Sequence, residues 1–177
     1  MLLPPGDVAV YSMDTSCLID LDNRYPSRVS PALWGIIRQL ADEARLFVCR
    51  QVQDEVDGAH HPEVLGLLSD FGQVLVDLAD FEPHFRALVA FVAASQITLT
   101  KPSAERTEAD PFVIALALHL AGRNPRDLGT PRPAAREAVV VTDESVASSK
   151  KIPAVCRALN LPCCSLVRLL EREDYRG

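Results

Sequence analysis

Val8-Ala9-Val10-Tyr11-Ser12-Met13-Asp14-Thr15-Ser16-Cys17-Leu18-Ile19-Asp20 is the stretch from which the fold is read. Its first half, Val8 to Met13, is short and apolar, as expected of a strand buried on both faces. It ends in an acid and two hydroxyls. An aspartate followed by Thr-Ser at a strand end is also an ordinary turn and helix cap, so the meaning of Asp14 depends on what the rest of the chain brings to it. Past the Asp14-Thr15-Ser16 turn, Cys17-Leu18-Ile19 begins a short helix and residues 20–26 read as a polar loop.

Outward from that strand, short apolar runs alternate with helical patterns. Ser30-Pro31 is a helix start, with Ser as cap and Pro at the first helical position. Leu33, Ile36, Ile37 and Leu40 continue it to about Ala44. Leu46-Phe47-Val48-Cys49 is a second buried strand, leading into a helix over 51–56 that carries Asp54 and Glu55. Val64, Leu65, Leu67, Leu68 and Phe71 make one helical face, and Phe85, Leu88, Val89 and Val92 another, with Leu75-Val76 between them as a connector or short strand. Asp110 precedes a strongly apolar helix, Val113 to Ala121, closed by Gly122. Residues 123–137, with three prolines and four arginines, are a loop insertion. Ala138-Val139-Val140-Val141 is the clearest strand and ends in Thr142-Asp143-Glu144. A helix from Lys151-Ile152-Pro153, a strand around 162–166 and a terminal helix over 167–173 complete the chain. Strands alternating with helices predict a three-layer α/β/α sandwich around a mostly parallel sheet.

The chain of 177 residues, 48% hydrophobic and 24% charged, fits one domain spanning residues 1–177. It has no apolar run of the roughly 18 residues needed to span a bilayer, and Met1 to Gly6 lacks the basic and apolar regions of a secretion signal. A cytoplasmic protein with no membrane role is expected. Five cysteines without C-x-x-C spacing read as reduced core thiols, Cys163 and Cys164 included. The four histidines share no metal-ligand spacing and read as structural or surface residues. A net charge of −6 argues against a general nucleic-acid-coating protein. It leaves room for an enzyme that handles nucleic acid through bound cations.

In an open parallel sheet the functional crevice lies beyond the carboxyl ends of the strands. Asp14, Glu55, and Asp143 with Glu144 all follow strands, and Asp110 starts a helix packed antiparallel to them, so these acids belong at one edge. Carboxylates held together raise one another's pKa. A divalent cation relieves that repulsion, and oxygen-only ligands select Mg²⁺ or Mn²⁺. Such an ion polarises a phosphodiester and activates water. Thr15, Ser16 and Thr142 offer hydroxyls to orient the acids. Arg24, Arg28, Arg50, Lys101, Arg106, Lys150 and Lys151 fall just after strands or just before the Asp110 helix, and are candidates for gripping an RNA backbone at the rim. Arg123, Arg126, Arg132 and Arg136 belong to the opposite edge, solvated or facing a protein partner.

Taken together, these motifs resemble the PIN domain family, which includes toxin ribonucleases of the VapC type. The apolar-D-T/S-x-x-apolar pattern is matched by Met13-Asp14-Thr15-Ser16-Cys17-Leu18-Ile19, and the Glu of the helix after the second strand by Val52-Gln53-Asp54-Glu55-Val56. The A-D-x-x-I-A pattern is matched by Ala109-Asp110-Pro111-Phe112-Val113-Ile114-Ala115. The fourth acid, in a T-x-D pattern, reads Thr142-Asp143-Glu144, with Glu at the usual Asp position, which leaves Asp143 and Glu144 both open. Asn23-Arg24-Tyr25-Pro26 and Lys151 to Cys156 resemble a little-characterised PIN-like subgroup. The resemblance implies a Mg²⁺- or Mn²⁺-dependent endoribonuclease with Asp14, Asp110 and Glu144 around the metal, a cognate antitoxin as in many members, and a homodimer as in many. The competing expectation is a PIN-fold module with a degenerate site that binds RNA or protein. A dinucleotide-binding fold and a P-loop enzyme lack their glycine motifs here, and an aspartyl-nucleophile phosphatase favours a second Asp where this chain has Ser16.

Overall fold

The computed structural model describes residues 8–95, 97, 99, 108–128, 134–144 and 151–173. Five strands, β1 (Val10–Met13), β2 (Leu46–Cys49), β3 (Leu75–Val76), β4 (Ala138–Val141) and β5 (Cys163–Cys164), form one sheet in the order β3-β2-β1-β4-β5. Every pairing is parallel. The described helices are α1 (Thr15–Arg24), α2 (Pro31–Asp42), α3 (Arg50–Gly58), α4 (Pro62–Asp70), α5 (Leu78–Ser95), α6 (Asp110–Leu120), α7 (Lys151–Ala158) and α8 (Leu166–Arg172).

Successive side chains on β1 show that helices cover both faces. Ser12 Oγ donates to the Val113 carbonyl in α6 at 2.9 Å, whereas Tyr11, its neighbour, sends its hydroxyl to Glu173 at the end of α8. Residues one apart on a strand point to opposite faces, so α6 and α8 lie on opposite sides and the fold is a three-layer α/β/α sandwich. Arg45 also bonds Glu173 through two guanidinium nitrogens, tying the end of α8 to the chain entering β2. Burial raises the Tyr11 hydroxyl to about 12, with the Glu173 carboxylate adding to the shift.

The core follows from the apolar runs. β1, β2 and β4 are buried at every position. In α6 all residues from Phe112 to Leu118 are buried, so this helix is apolar all round because neighbours surround it. It packs on β1, β2 and β4 and is covered in turn by α5. A fully buried Val, Leu, Ile or Phe contributes roughly 1.5–3 kcal/mol, so this layer is a large contributor to stability. Gly122 closes α6 at φ +65, with Gly122 N–H bonded to the His119 carbonyl and Arg123 N–H to that of Leu118. These two bonds are a Schellman motif, where glycine meets no steric penalty.

Several local expectations change. Residues 20–24 are helical because Asp14 caps α1, and burial of Cys17, Leu18 and Leu21 carries the helix through Arg24. Ser30 makes no side-chain cap bond. Leu75-Val76 is an edge strand beside β2. Ala109, not Asp110, is the residue preceding α6, so Asp110 lies within its first turn. All five cysteines are free thiols, with Cys163 and Cys164 only half-buried. Within the expected insertion, Pro125–Asp127 forms a short 3₁₀ turn, and residues 129–133 lie outside the described residues.

Candidate active site

Strand register builds the site. Met13 pairs with Val141, so the next residues, Asp14 and Thr142, meet at the carboxyl edge of the sheet. Asp14 is 4% exposed. Its Oδ1 accepts the Thr15 N–H at 2.8 Å, and its Oδ2 accepts the hydroxyls of Ser16 at 2.7 Å and Thr142 at 2.9 Å. Burial raises the Asp14 pKa, and the three donors act against that shift by stabilising the carboxylate. All three hydroxyl residues picked from the sequence are thus present at the acids, two of them directly on Asp14. Thr15 Oγ1 goes instead to Glu55.

Glu55 reaches the edge from α3. One carboxylate oxygen accepts the Thr15 hydroxyl and the other the Ala109 N–H, the latter at 2.9 Å. Glu55 therefore joins the first turn of α1 to the first turn of α6. Through that link the backbone ahead of Asp110 is held against the Asp14 loop.

Asp110 is raised to about 7. Burial is the largest cause, followed by the negative charges of Asp14, Glu144 and Glu108, with Lys151 opposing them. A carboxyl in this position is partly protonated near neutral pH. Glu108 was not singled out from the sequence, and its position two residues before Asp110 is the signal for it.

The pair left open by the T-x-D/E pattern separates in space. Asp143 is exposed, and its Oδ1 accepts the Leu166 N–H at 3.2 Å, at the start of α8. Glu144 acts electrostatically on both Asp14 and Asp110. Its carboxylate receives the Lys151 ammonium and, at 3.1 Å, the Ile152 N–H. Glu144 is thus the member of the pair whose charge acts on the other two acids.

Of the described basic residues expected at the rim, only Lys151 is found at the acids. Its own backbone is left-handed at φ +72, and its contact with Glu144, with the charges of Asp110 and Asp14 adding, raises its pKa. Arg24 lies at the last turn of α1, roughly 15 Å of helix from Asp14, in a 3.1 Å pair with Asp20. Arg50 opens α3 but is held by Asp77 at 3.0 Å and by Gln53. Arg28 is exposed in the turn between α1 and α2. Lys101, Arg106 and Lys150 lie outside the described residues.

The histidines take structural positions. His61 pairs with Asp22 at 3.1 Å, and His84 contacts the Arg123 carbonyl while its ring lies edge-on to His119.

The donor set fits a hard divalent cation in its chemistry: oxygen atoms only, on acids gathered at one edge, with Asp14 and Glu144 both raising the pKa of Asp110. Asp14, Asp110 and Glu144 would hold such an ion. Among the described residues no three His, Cys, Asp or Glu side chains close to mutual ligand distance, and Lys151 supplies the counter-charge on Glu144.

A family profile described as "Domain of unknown function (DUF4411)" matches residues 11–123 and 132–176, which is most of the chain. No curated protein and no solved structure matches it.

Proposed function

We propose that this chain, which belongs to the DUF4411 family of unknown function, is a Mg²⁺- or Mn²⁺-dependent endoribonuclease of PIN type, acting in the cytoplasm as the toxin of a toxin-antitoxin pair. One observation carries the reading. Asp14 after β1, Glu144 after β4 and Asp110 at the start of α6 come to one edge of the sheet, where burial first and the negative charges of Asp14 and Glu144 next raise Asp110 to about 7. The four motifs that resemble PIN domains supply the reaction class.

A bound divalent cation would supply charge neutralisation at the phosphodiester and activation of water. The chain's own residues do the positioning. Ser16 and Thr142 fix the Asp14 carboxylate, and Glu55 fixes the start of α6 and with it Asp110. Asp110 gives up a proton near neutral pH. Lys151 holds Glu144 and supplies a positive charge at the mouth of the site. The cognate antitoxin and a homodimer are parts of the same proposal. Among the described residues no helix is long and apolar enough to cross a membrane.

The test is RNA cleavage with Mn²⁺ by the wild-type chain and by Asp14→Asn, with protein free of contaminating nuclease. Stimulated cleavage in the first and its loss in the second is the expected result. Undiminished cleavage by Asp14→Asn would sink the assignment. A specific observation favours a second reading, a degenerate PIN-fold binding module: the Glu144 carboxylate is already engaged by Lys151 and the Ile152 N–H. That reading predicts RNA or protein binding without metal-dependent cleavage, unchanged by Asp14→Asn.

A further inference from the structure

At the amino edge of the sheet, the end remote from the acids, lies a cavity of about 260 Å³ lined in part by Arg123, Arg136, Asn160 and the apolar Ala121, Leu161 and Pro162. The cavity sits where α6 and α7 both end, beside the entry to β4. Helix carboxyl ends normally present carbonyls that attract arginines. Here those carbonyls already have backbone partners. The Leu118 and His119 carbonyls accept from Arg123 and Gly122, that of Ala121 from Ala135, and those of Cys156 and Arg157 from Leu161 and Asn160. Only the Asn160 carbonyl takes an arginine, receiving Arg123 Nη2 at 3.0 Å.

Donors remain over. Arg123 Nε and Arg136 Nη1 are both buried and have no hydrogen-bond partner. A buried N–H left unsatisfied costs about 1–3 kcal/mol, more on a charged group. Among the described residues, two such donors on two guanidinium groups thus border one cavity. Glu137, which also borders the cavity, does not supply the missing acceptor, because its carboxylate is held by Arg172 at 2.9 Å. Backbone on both sides is fixed: Arg123 by the Schellman motif, and Arg136 by the Ala135 N–H to Ala121 carbonyl bond at 3.0 Å.

We propose that this cavity is a binding site for a compact oxyanion of the phosphate class, with Arg123 Nε and Arg136 Nη1 as its donors and the apolar walls setting its size. The planar guanidinium fork suits the oxygens of a phosphate. A free phosphorylated small molecule and the phosphate of an RNA strand present the same chemistry, and the site is independent of the ribonuclease reading.

Titration calorimetry of the full chain with inorganic phosphate, without divalent cation, tests it. Saturable binding is expected in the wild type, and a loss of at least about tenfold in affinity in Arg136→Gln. Arg136 makes no hydrogen bond that the fold needs, so the variant is expected to melt at or above the wild-type temperature in phosphate-free buffer. If it does not fold, Arg136→Lys keeps the charge without the fork and is expected to weaken phosphate binding severalfold. A 5′-phosphorylated RNA oligonucleotide that displaces phosphate in the wild type, and binds less well to the variant, assigns the site to RNA. Failure of the oligonucleotide to displace bound phosphate assigns it to a small phosphorylated ligand. No saturable phosphate binding, equal binding by Arg136→Gln, or equal displacement by acetate would each overturn the proposal.

Discussion

The two edges of the sheet carry opposite electrostatic problems. Beyond the strand carboxyl ends, Asp14, Asp110 and Glu144 bring negative charge together, answered among the described residues by Lys151, which pairs with Glu144 and opposes the rise at Asp110. At the amino end, Arg123 and Arg136 bury donors that no acceptor meets. An edge with surplus carboxylates suits a cation, and one with surplus guanidinium groups suits an anion. The two edges, about a strand's length apart, thus suit ligands of opposite charge, and each is best probed by a change that leaves the other untouched.

The largest expected effect concerns pH. Asp110 titrates at about 7 in the folded chain, against an ordinary 3.8. Protonation competes with a cation, so Mn²⁺ affinity is expected to rise about tenfold per pH unit below pH 7 and to level off above it. Asp110→Asn is expected to remove that slope, and calorimetry at pH 5.5 to 8 reads it; a slope that persists in the variant breaks the assignment of the carboxylate edge. The same shift has a stability consequence. The folded chain keeps a proton that the unfolded chain has released, so the group's contribution is complete below pH 3.8 and is lost as pH rises through about 7.

Thr142→Val removes the hydroxyl on Asp14 Oδ2 and is expected to lower Mn²⁺ affinity about 10- to 100-fold. An unchanged affinity would mean that Thr142 only fills space. Lys151→Met acts in the opposite sense. Removing the ammonium from Glu144 is expected to raise Mn²⁺ affinity about three- to tenfold, since a pair whose lysine is half exposed contributes only on the order of 1 kcal/mol. A fall in affinity would instead make Lys151 part of the cation site. The smallest effect belongs to the other edge, where Arg136→Gln is expected to hold or raise the unfolding free energy in phosphate-free buffer, by up to about 1 kcal/mol by urea denaturation. A loss of several times that size would show that the guanidinium is held by the fold and would blunt the contrast between the edges.

Much of this was legible in the order of residues. Apolar runs of four residues, each followed by an acid or a helix start, specify parallel strands because only doubly buried strands lack alternation. Asp14 and Asp110 were legible for the same reason, since a polar group at the end of a buried strand or the start of an apolar helix has a fixed address. Other positions were not. Residues 20–24 looked like a loop because their polarity hid the Cys17-Leu18-Leu21 stripe that seats α1. Arg24 and Arg50 looked like rim cations because a linear order does not show that Asp20 and Asp77 hold them. The amino-edge cavity had no linear signature, for Arg123 and Arg136 meet Asn160 only after α6, β4 and α7 have packed.

By itself the sequence determined the layer order, the parallel sheet and the edge to which the acids go, because burial pattern and strand-helix alternation are local properties that survive as a string. Tertiary structure alone set Asp143 and Glu144 apart. Both follow the same strand one residue apart, and only the packing of α8 against one and of α7 against the other turns Asp143 outward to the Leu166 N–H and leaves Glu144 facing Asp14 and Asp110.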